Sequence, residues 1–219
     1  MRWWTVRVPV AAPGPTGDMA DRWLTDRPHE TIRSADLTLT RARLDDVGEL
    51  VAAVNHSLDE LRPWMPWAQV PATPASIGEF LEQADSNWEA CREFQFAIRE
   101  AGGVRNRHGG GPGALIGFCG LHDRVGPGAL EIGYWVRSDH TGRGVATSAA
   151  SALTSSALDL QGVSRVEIHC DAANLRSAAI PGKLGYRLDR VDAGSATAPG
   201  ETDRHMIWVF GPGAGRGQS

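Results

Sequence analysis

A chain of 219 residues, 42% apolar and 22% charged, is long and hydrophobic enough for one globular domain with its own core. A formal charge of −4 argues against a nucleic-acid partner, which clustered Lys and Arg would hold; three cysteines, Cys91, Cys119 and Cys170, lack CxxC spacing and argue against a disulfide framework or a zinc knuckle. No apolar run has the length of a signal peptide or a membrane span, so the expectation is a cytoplasmic protein with no membrane partner and no metal.

Residues 1–35 mix Pro, Gly, Asp and Arg with Trp3, Trp4 and Trp23 and sustain no period of 2 or 3.6. They read as an extension, poorly ordered or loosely docked, with Met19 an alternative start. The domain proper is expected over 36–211. Leu37 and Leu39, with Ala42 beyond, alternate as a strand, and Asp45 and Asp46 open a helix carrying Leu50, Val51 and Val54. A proline-tryptophan segment leads to a helix over about 74–92, with Ile77, Phe80, Leu81, Ala84 and Trp88 at 3- and 4-residue steps. "FQFAIRE" and "ALIGFCGLHD" are strands joined by the flexible connection "AGGVRNRHGGGPG". "ALEIGYWV" is a strong strand, "GVATSAASALTSSALDL" a helix, and "RVEIHCD" a strand. "NLRSAAIPGKL" is a short helix ending at Lys183, Leu184 and Gly185, "YRLDRV" and "HMIWVFG" are the last strands, and 212–219 is a flexible Gly-rich tail. Helices and strands alternate irregularly, which gives a mixed α/β or α+β sheet layered with helices.

Between the strand ending near Val136 and the long Ala/Ser helix lies "HTGRGVAT". A helix start presents backbone N–H groups without intrahelical partners and the positive end of the helix dipole; glycines let an anion approach closely. Gly142 and Gly144 at that turn, with Arg137 and Arg143 nearby, form a corner suited to phosphate. This corner resembles the acyl-coenzyme A pyrophosphate loop of the GNAT superfamily of N-acetyltransferases, whose pattern is Arg/Gln-x-x-Gly-x-Gly/Ala. Thr141, Gly142, Arg143, Gly144, Val145 and Ala146 match it except that Thr141 stands where Arg or Gln is usual. The departure removes one long donor, for which His140 or Arg143 could compensate, and weakens rather than abolishes the expected cofactor binding.

A second motif follows in the right order. "DAANLRSAAIPGKLGYRL" resembles the Asn-x-x-Ser...Lys-Leu-Gly-Phe/Tyr signature of the ribosomal-protein N-terminal acetyltransferases (Rim type) and their relatives. Asn174 is a good N-cap whatever else it does, and Ser177, three residues on, shares its side of the helix. The resemblance implies that Asn174 and Ser177 meet coenzyme A, with Ser177 at the sulfur. It also implies a GNAT fold over 36–211: a mostly antiparallel, twisted sheet of about six to seven strands flanked by helices and splayed between the fourth and fifth.

In "LEIGYWV", Leu130, Ile132, Tyr134 and Val136 share one face, and Glu131, Gly133 and Trp135 the other. Similar enzymes carry a general base in this strand, which Glu131 would be; His122 is an alternative. Acyl transfer to an amine also needs an oxyanion donor, expected from a backbone N–H at Trp135 or Val136, and a protonated departing thiolate, expected from Ser177. Arg137 and the loop residues would hold acetyl-coenzyme A as co-substrate. Cys119 and Cys170 read as core, as does Tyr186. His169 points to the strand face opposite Cys170.

"LRPWMPWA", with Trp64 and Trp67 on a proline-fixed segment, suits one wall of an acceptor pocket, though core packing accounts for it equally. The resemblance then implies direct attack, in a ternary complex, by a protein N-terminal amine. Alternatives are a small-molecule or antibiotic amine, and a non-catalytic acyl-coenzyme A sensor. A homodimer is left open.

Overall fold

The computed structural model describes residues 23–34, 36–101 and 113–211. Most of the 101–113 connection, residues 1–22 and the 212–219 tail therefore lie outside the described residues, and so do the readings of Trp3, Trp4 and Met19.

Eight strands form one sheet: β1 (Thr31–Arg33), β2 (Leu37–Arg41), β3 (Glu93–Glu100), β4 (Leu115–His122), β5 (Ala129–Val136), β6 (Arg165–Asp171), β7 (Arg187–Ala193) and β8 (Arg204–Phe210). Their order is β1-β2-β3-β4-β5-β6-β8-β7, antiparallel except for β5 beside β6. Among the described residues, five α-helices accompany the sheet: α1 (Val47–His56), the short α2 (Leu58–Leu61), α3 (Pro74–Glu89), α4 (Val145–Leu158) and α5 (Leu175–Lys183).

The sheet buries both faces. On one, Leu130 and Ile132 pack against Val145, Ala149, Ala150 and Leu153 of α4. On the other, Trp135, Phe118 and Ala97 pack under Leu50 and Val54 of α1 and Ile77, Phe80 and Leu81 of α3. The period-2 pattern of β5 and the 3-and-4 spacing of α3 supply these two layers, and each fully buried Leu, Ile or Phe contributes roughly 1.5–3 kcal/mol. Thr73 caps α3 by accepting from the Ser76 amide, and Pro74 fills its first turn, where no amide partner is lost. The helix ends at Glu89, three residues short of the expectation, and Cys91 follows at φ 51.

The sheet has one strand more than expected, because Thr31–Arg33 pairs with β2. A three-residue strand carries too short a pattern to be read from sequence. Residues 23–34, the described part of the expected extension, make contacts with the domain. Leu24 is 1% exposed in the core beside Leu160, the Trp23 indole donates to Asp123 (3.0 Å), and Arg27 pairs with Glu89 (3.0 Å).

β5 and β6 are paired only at Ala129, Leu130 and Glu131, opposite Arg165, Val166 and Glu167, and beyond that point they diverge. These are the fourth and fifth strands of the sequence reading. Gly133 and Tyr134, past the divergence, are half-buried in a strand whose preceding residues are all buried.

Candidate active site

The Gly-rich corner lies at the far end of β5. A short helical turn, Ser138–His140, follows Val136, and Gly142 and Gly144 both adopt left-handed conformations, φ 74 and 81, with Gly144 the N-cap of α4. A residue with a Cβ resists both torsions. A Cβ added at either would meet no atom within 4 Å, so the glycines face open space. The first intrahelical bond beyond the cap is from Ser148 N–H to Gly144 C=O (2.9 Å), which leaves the preceding amides of the turn at the positive end of the helix. Such a helix start, with open space at its glycines, is suited to an anion.

The side chains around it are arranged differently from expectation. Arg137 is held in bidentate fashion by Asp139 (2.7 and 2.9 Å), and His140 is buried against Asp139 (2.8 Å), 3.4 Å from Glu100. The Thr141 hydroxyl donates to the Ser138 carbonyl (2.8 Å) and so braces the turn. Arg137 and His140 thus both engage Asp139, while Arg143 is exposed between Gly142 and Gly144.

Ser177 stands across the divergence, in the first turn of α5. Asn174 caps this helix by accepting from the Ser177 amide (3.2 Å), and the Ser177 hydroxyl lies 3.1 Å from that of Tyr134 on β5. These two hydroxyls bridge the open edges of β5 and α5. Burial pushes the Tyr134 phenol up, further than its bond to Ser177 lowers it, so it keeps its proton at neutral pH. Tyr134 went unnoticed in the sequence because it continues the apolar face of Leu130 and Ile132. Cys170 sits beside Ser177 with its thiol pushed up to about 11, chiefly by burial, which makes it inert. Burial raises Cys119 as well. Tyr186 is core, as expected, its hydroxyl 2.6 Å from that of Thr154 and its ring against Phe210.

Hydrogen-bond phase along β5 separates the two amides expected to meet an oxyanion. Arg137 N–H donates to Ile116 C=O (2.9 Å), so residues 131, 133 and 135 exchange bonds with β4 while Tyr134 and Val136 point the other way, toward the gap. The Trp135 amide is committed to Phe118; the Val136 amide faces the opening.

Glu131 is where the alternation puts it, on the face of Trp135 at the last paired step before the divergence, and is 5% exposed. Arg124, from the β4–β5 turn, clamps both its oxygens (2.6 and 2.5 Å). Burial alone would push the Glu131 carboxyl up. The Arg124 charge, His169 and the Arg124 hydrogen bonds outweigh it and bring the group down to about 2. A carboxylate so held is a weak proton acceptor near neutral pH. Arg124 itself carried no motif; only the strand pairing reveals it. His122 is wholly buried, 3.6 Å from Glu93, which removes it from contact with an acceptor.

On the Trp135 side, the Trp67 and Trp135 rings pack at 6.3 Å and 54°. Trp64 is half-buried on the same proline-fixed segment. The β7–β8 loop reaches this segment through Gly200 N–H to Pro63 C=O (2.8 Å) and is tied to the end of β6 by Thr202, whose amide and hydroxyl both donate to Asp171 (2.9 and 2.8 Å). It spans from one side of the divergence to the other. Asp59, just before this segment, is exposed and pairs with Arg62 (3.1 Å).

A family model for the acetyltransferase (GNAT) domain matches residues 36–187. The chain belongs to the GNAT acetyltransferase family. As such it is an N-acetyltransferase. It is 27% identical over 152 residues to the "Putative ribosomal N-acetyltransferase YdaF" of Bacillus subtilis (strain 168), covering 68% of this chain and 77% of that one. Two solved structures superpose on it with a TM-score of 0.71. The microcin C7 self-immunity acetyltransferase MccE, in complex with acetyl-CoA and AMP, is 19% identical and covers 81% of this chain and 93% of its own. RimL, the ribosomal L7/L12 α-N-protein acetyltransferase, in complex with coenzyme A, is 17% identical and covers 83% and 98%. Both likenesses bear on the fold. No helix among the described residues is long and apolar enough to cross a membrane, and no group of three or more His, Cys, Asp or Glu among them is placed to hold a metal ion.

Proposed function

We propose that this acetyltransferase moves an acetyl group from acetyl-coenzyme A to the α-amine of a protein N-terminus. The observation that carries the reading is the pairing of the left-handed glycine corner with the Ser177–Tyr134 hydroxyls across one divergent strand gap. The diphosphate is held by amides of residues 142–146 with Arg143 beside them, and the thioester lies in the gap between β5 and α5. The Val136 amide donates to the carbonyl oxygen as it gains charge, an interaction of the kind worth about 3 kcal/mol. The amine attacks directly, with both substrates bound, and the departing thiolate takes a proton from the hydroxyl pair. Trp64 and Trp67 wall the acceptor side, together with the β7–β8 loop.

Support for a peptide acceptor comes from the likeness to RimL and the YdaF protein; the likeness to MccE favours a small-molecule amine as the second reading. Thiol release from acetyl-coenzyme A, followed over a panel of short peptides and small amines, separates them. Turnover with small amines and none with any peptide would overturn the first reading.

A further inference from the structure

The titratable groups on the acceptor face of the sheet are already engaged with one another. Register sets Glu93 of β3, His122 of β4, Glu131 of β5 and Glu167 of β6 in one row, with His169 one step further along β6 on the same face. Arg124 enters this row from the turn and binds Glu131 through Nε and Nη2, so each carboxylate oxygen accepts a charge-assisted bond. His169 lies between two carboxylates, its Nε2 2.8 Å from Glu167 and its Nδ1 3.7 Å from Glu131; Arg165 holds the other Glu167 oxygen (2.8 Å).

We propose that Arg124 fixes Glu131 as a permanent anion, so that this site acetylates amines in proportion to how readily they shed their own proton, an α-amine ahead of a lysine. The inference rests on the proposed transfer to an amine and specifies how that site chooses. Protonating Glu131 would leave a mostly covered guanidinium facing a neutral acid, so the proton is refused. His169 is no substitute: its Nε2 and Nδ1 already face Glu167 and Glu131, and although burial pulls its pKa down, these two carboxylates outweigh burial and raise it. His122 and Glu93 are occupied with each other, behind Glu131. The acceptor ammonium therefore loses its proton to solvent before binding productively. The neutral nitrogen adds to the thioester carbonyl, the carbon–sulfur bond breaks with its electron pair on sulfur, and the proton shed by nitrogen balances the one taken up by the thiolate.

The expected selectivity follows from ordinary amine acidities. At pH 7 about 10% of an α-amine with a pKa of about 8 is neutral, against about 0.04% of a lysine at about 10.4, a preference of roughly 200-fold.

The experiment measures kcat/KM against pH for a series of primary amines of graded basicity, covering peptide α-amines, peptides with only a lysine amine free, and small amines. In the wild-type enzyme the midpoint of the rising limb should move with the acceptor's own pKa. A midpoint common to all acceptors would mean an enzyme group is the base and would overturn the proposal. Arg124→Gln should add a limb that does not depend on the acceptor and narrow the α-over-lysine preference at least tenfold, with Arg124→Lys restoring the wild-type profile. An Arg124→Gln enzyme that turns over with the wild-type profile would also overturn it. If that variant fails to fold, the wild-type series decides alone. Absence of turnover with peptides removes the peptide reading and leaves this test intact on the small amines.

Discussion

Replacing Gly144 by alanine separates the structural work of the corner from its binding work. Gly144 is at φ 81, so a residue with a Cβ there costs about 1–2 kcal/mol of backbone strain. No atom lies within 4 Å of the added carbon, so packing contributes nothing further. For a domain of this size the strain lowers Tm by roughly 2–8 °C. If the amides around Gly144 hold a diphosphate, the methyl group also stands in the anion's space. Loss of one or two charge-assisted bonds, each about 1.5–3 kcal/mol, then weakens coenzyme A binding by roughly ten- to 25,000-fold. Gly126 supplies the control: it is at φ 96 in the β4–β5 turn, also with open space around it, so Gly126→Ala carries similar strain far from the corner. Calorimetric titration of both variants with coenzyme A, alongside thermal unfolding without it, gives the two quantities separately. Similar losses of Tm with unchanged coenzyme A affinity in Gly144→Ala would refute the cradle.

Ser177→Ala should lower kcat about tenfold or more and leave acetyl-coenzyme A affinity nearly unchanged, and Tyr134→Phe should do so more weakly; pre-steady-state thiol release reads both. Trp67→Ala removes the ring packed on Trp135 and should destabilise by about 3–5 kcal/mol in denaturant unfolding, whereas Trp64→Ala should raise the acceptor KM and spare stability. Burial pushes the Asp171 carboxyl up, but the bonds from Ala173 and Thr202 lower it below its ordinary value. Its contribution is therefore present above about pH 4 and lost as pH falls below that; Thr202→Val should shrink the acid-side loss seen in wild-type unfolding curves.

What the sequence disclosed follows from the range over which each signal acts. The helix α3, the two-faced strand β5 and the corner at Gly142 and Gly144 are written in contiguous residues, through the 3-and-4 spacing of Ile77 to Trp88, the alternation of Leu130 to Val136, and two glycines at a strand-to-helix step. β1 is too short for any period to register. Arg124 and Glu131 are seven residues apart across a turn, and their meeting depends on how β4 and β5 pair, which no local pattern encodes. Tyr134 was visible as an apolar-face residue but not as a partner of Ser177, 43 positions away.

The position of Glu131 shows why its role is set by pairing rather than by residue type. An acidic residue in this strand next to a cofactor corner invites assignment as a base, and its depth in the sheet by itself would raise its pKa. Depth is the largest single influence here, but the Arg124 charge, His169 and the Arg124 bonds together outweigh it. β5 and β6 separate immediately after Glu131, so the carboxylate lies at the apex of the cleft, where the same turn that closes the β4–β5 hairpin delivers Arg124. The guanidinium reverses the sign of the shift that burial would produce. One residue at the apex can thus be both buried and ionised. A side chain at position 124 that kept the turn but lost the fork would restore the upward pull of burial and with it a proton acceptor at the apex.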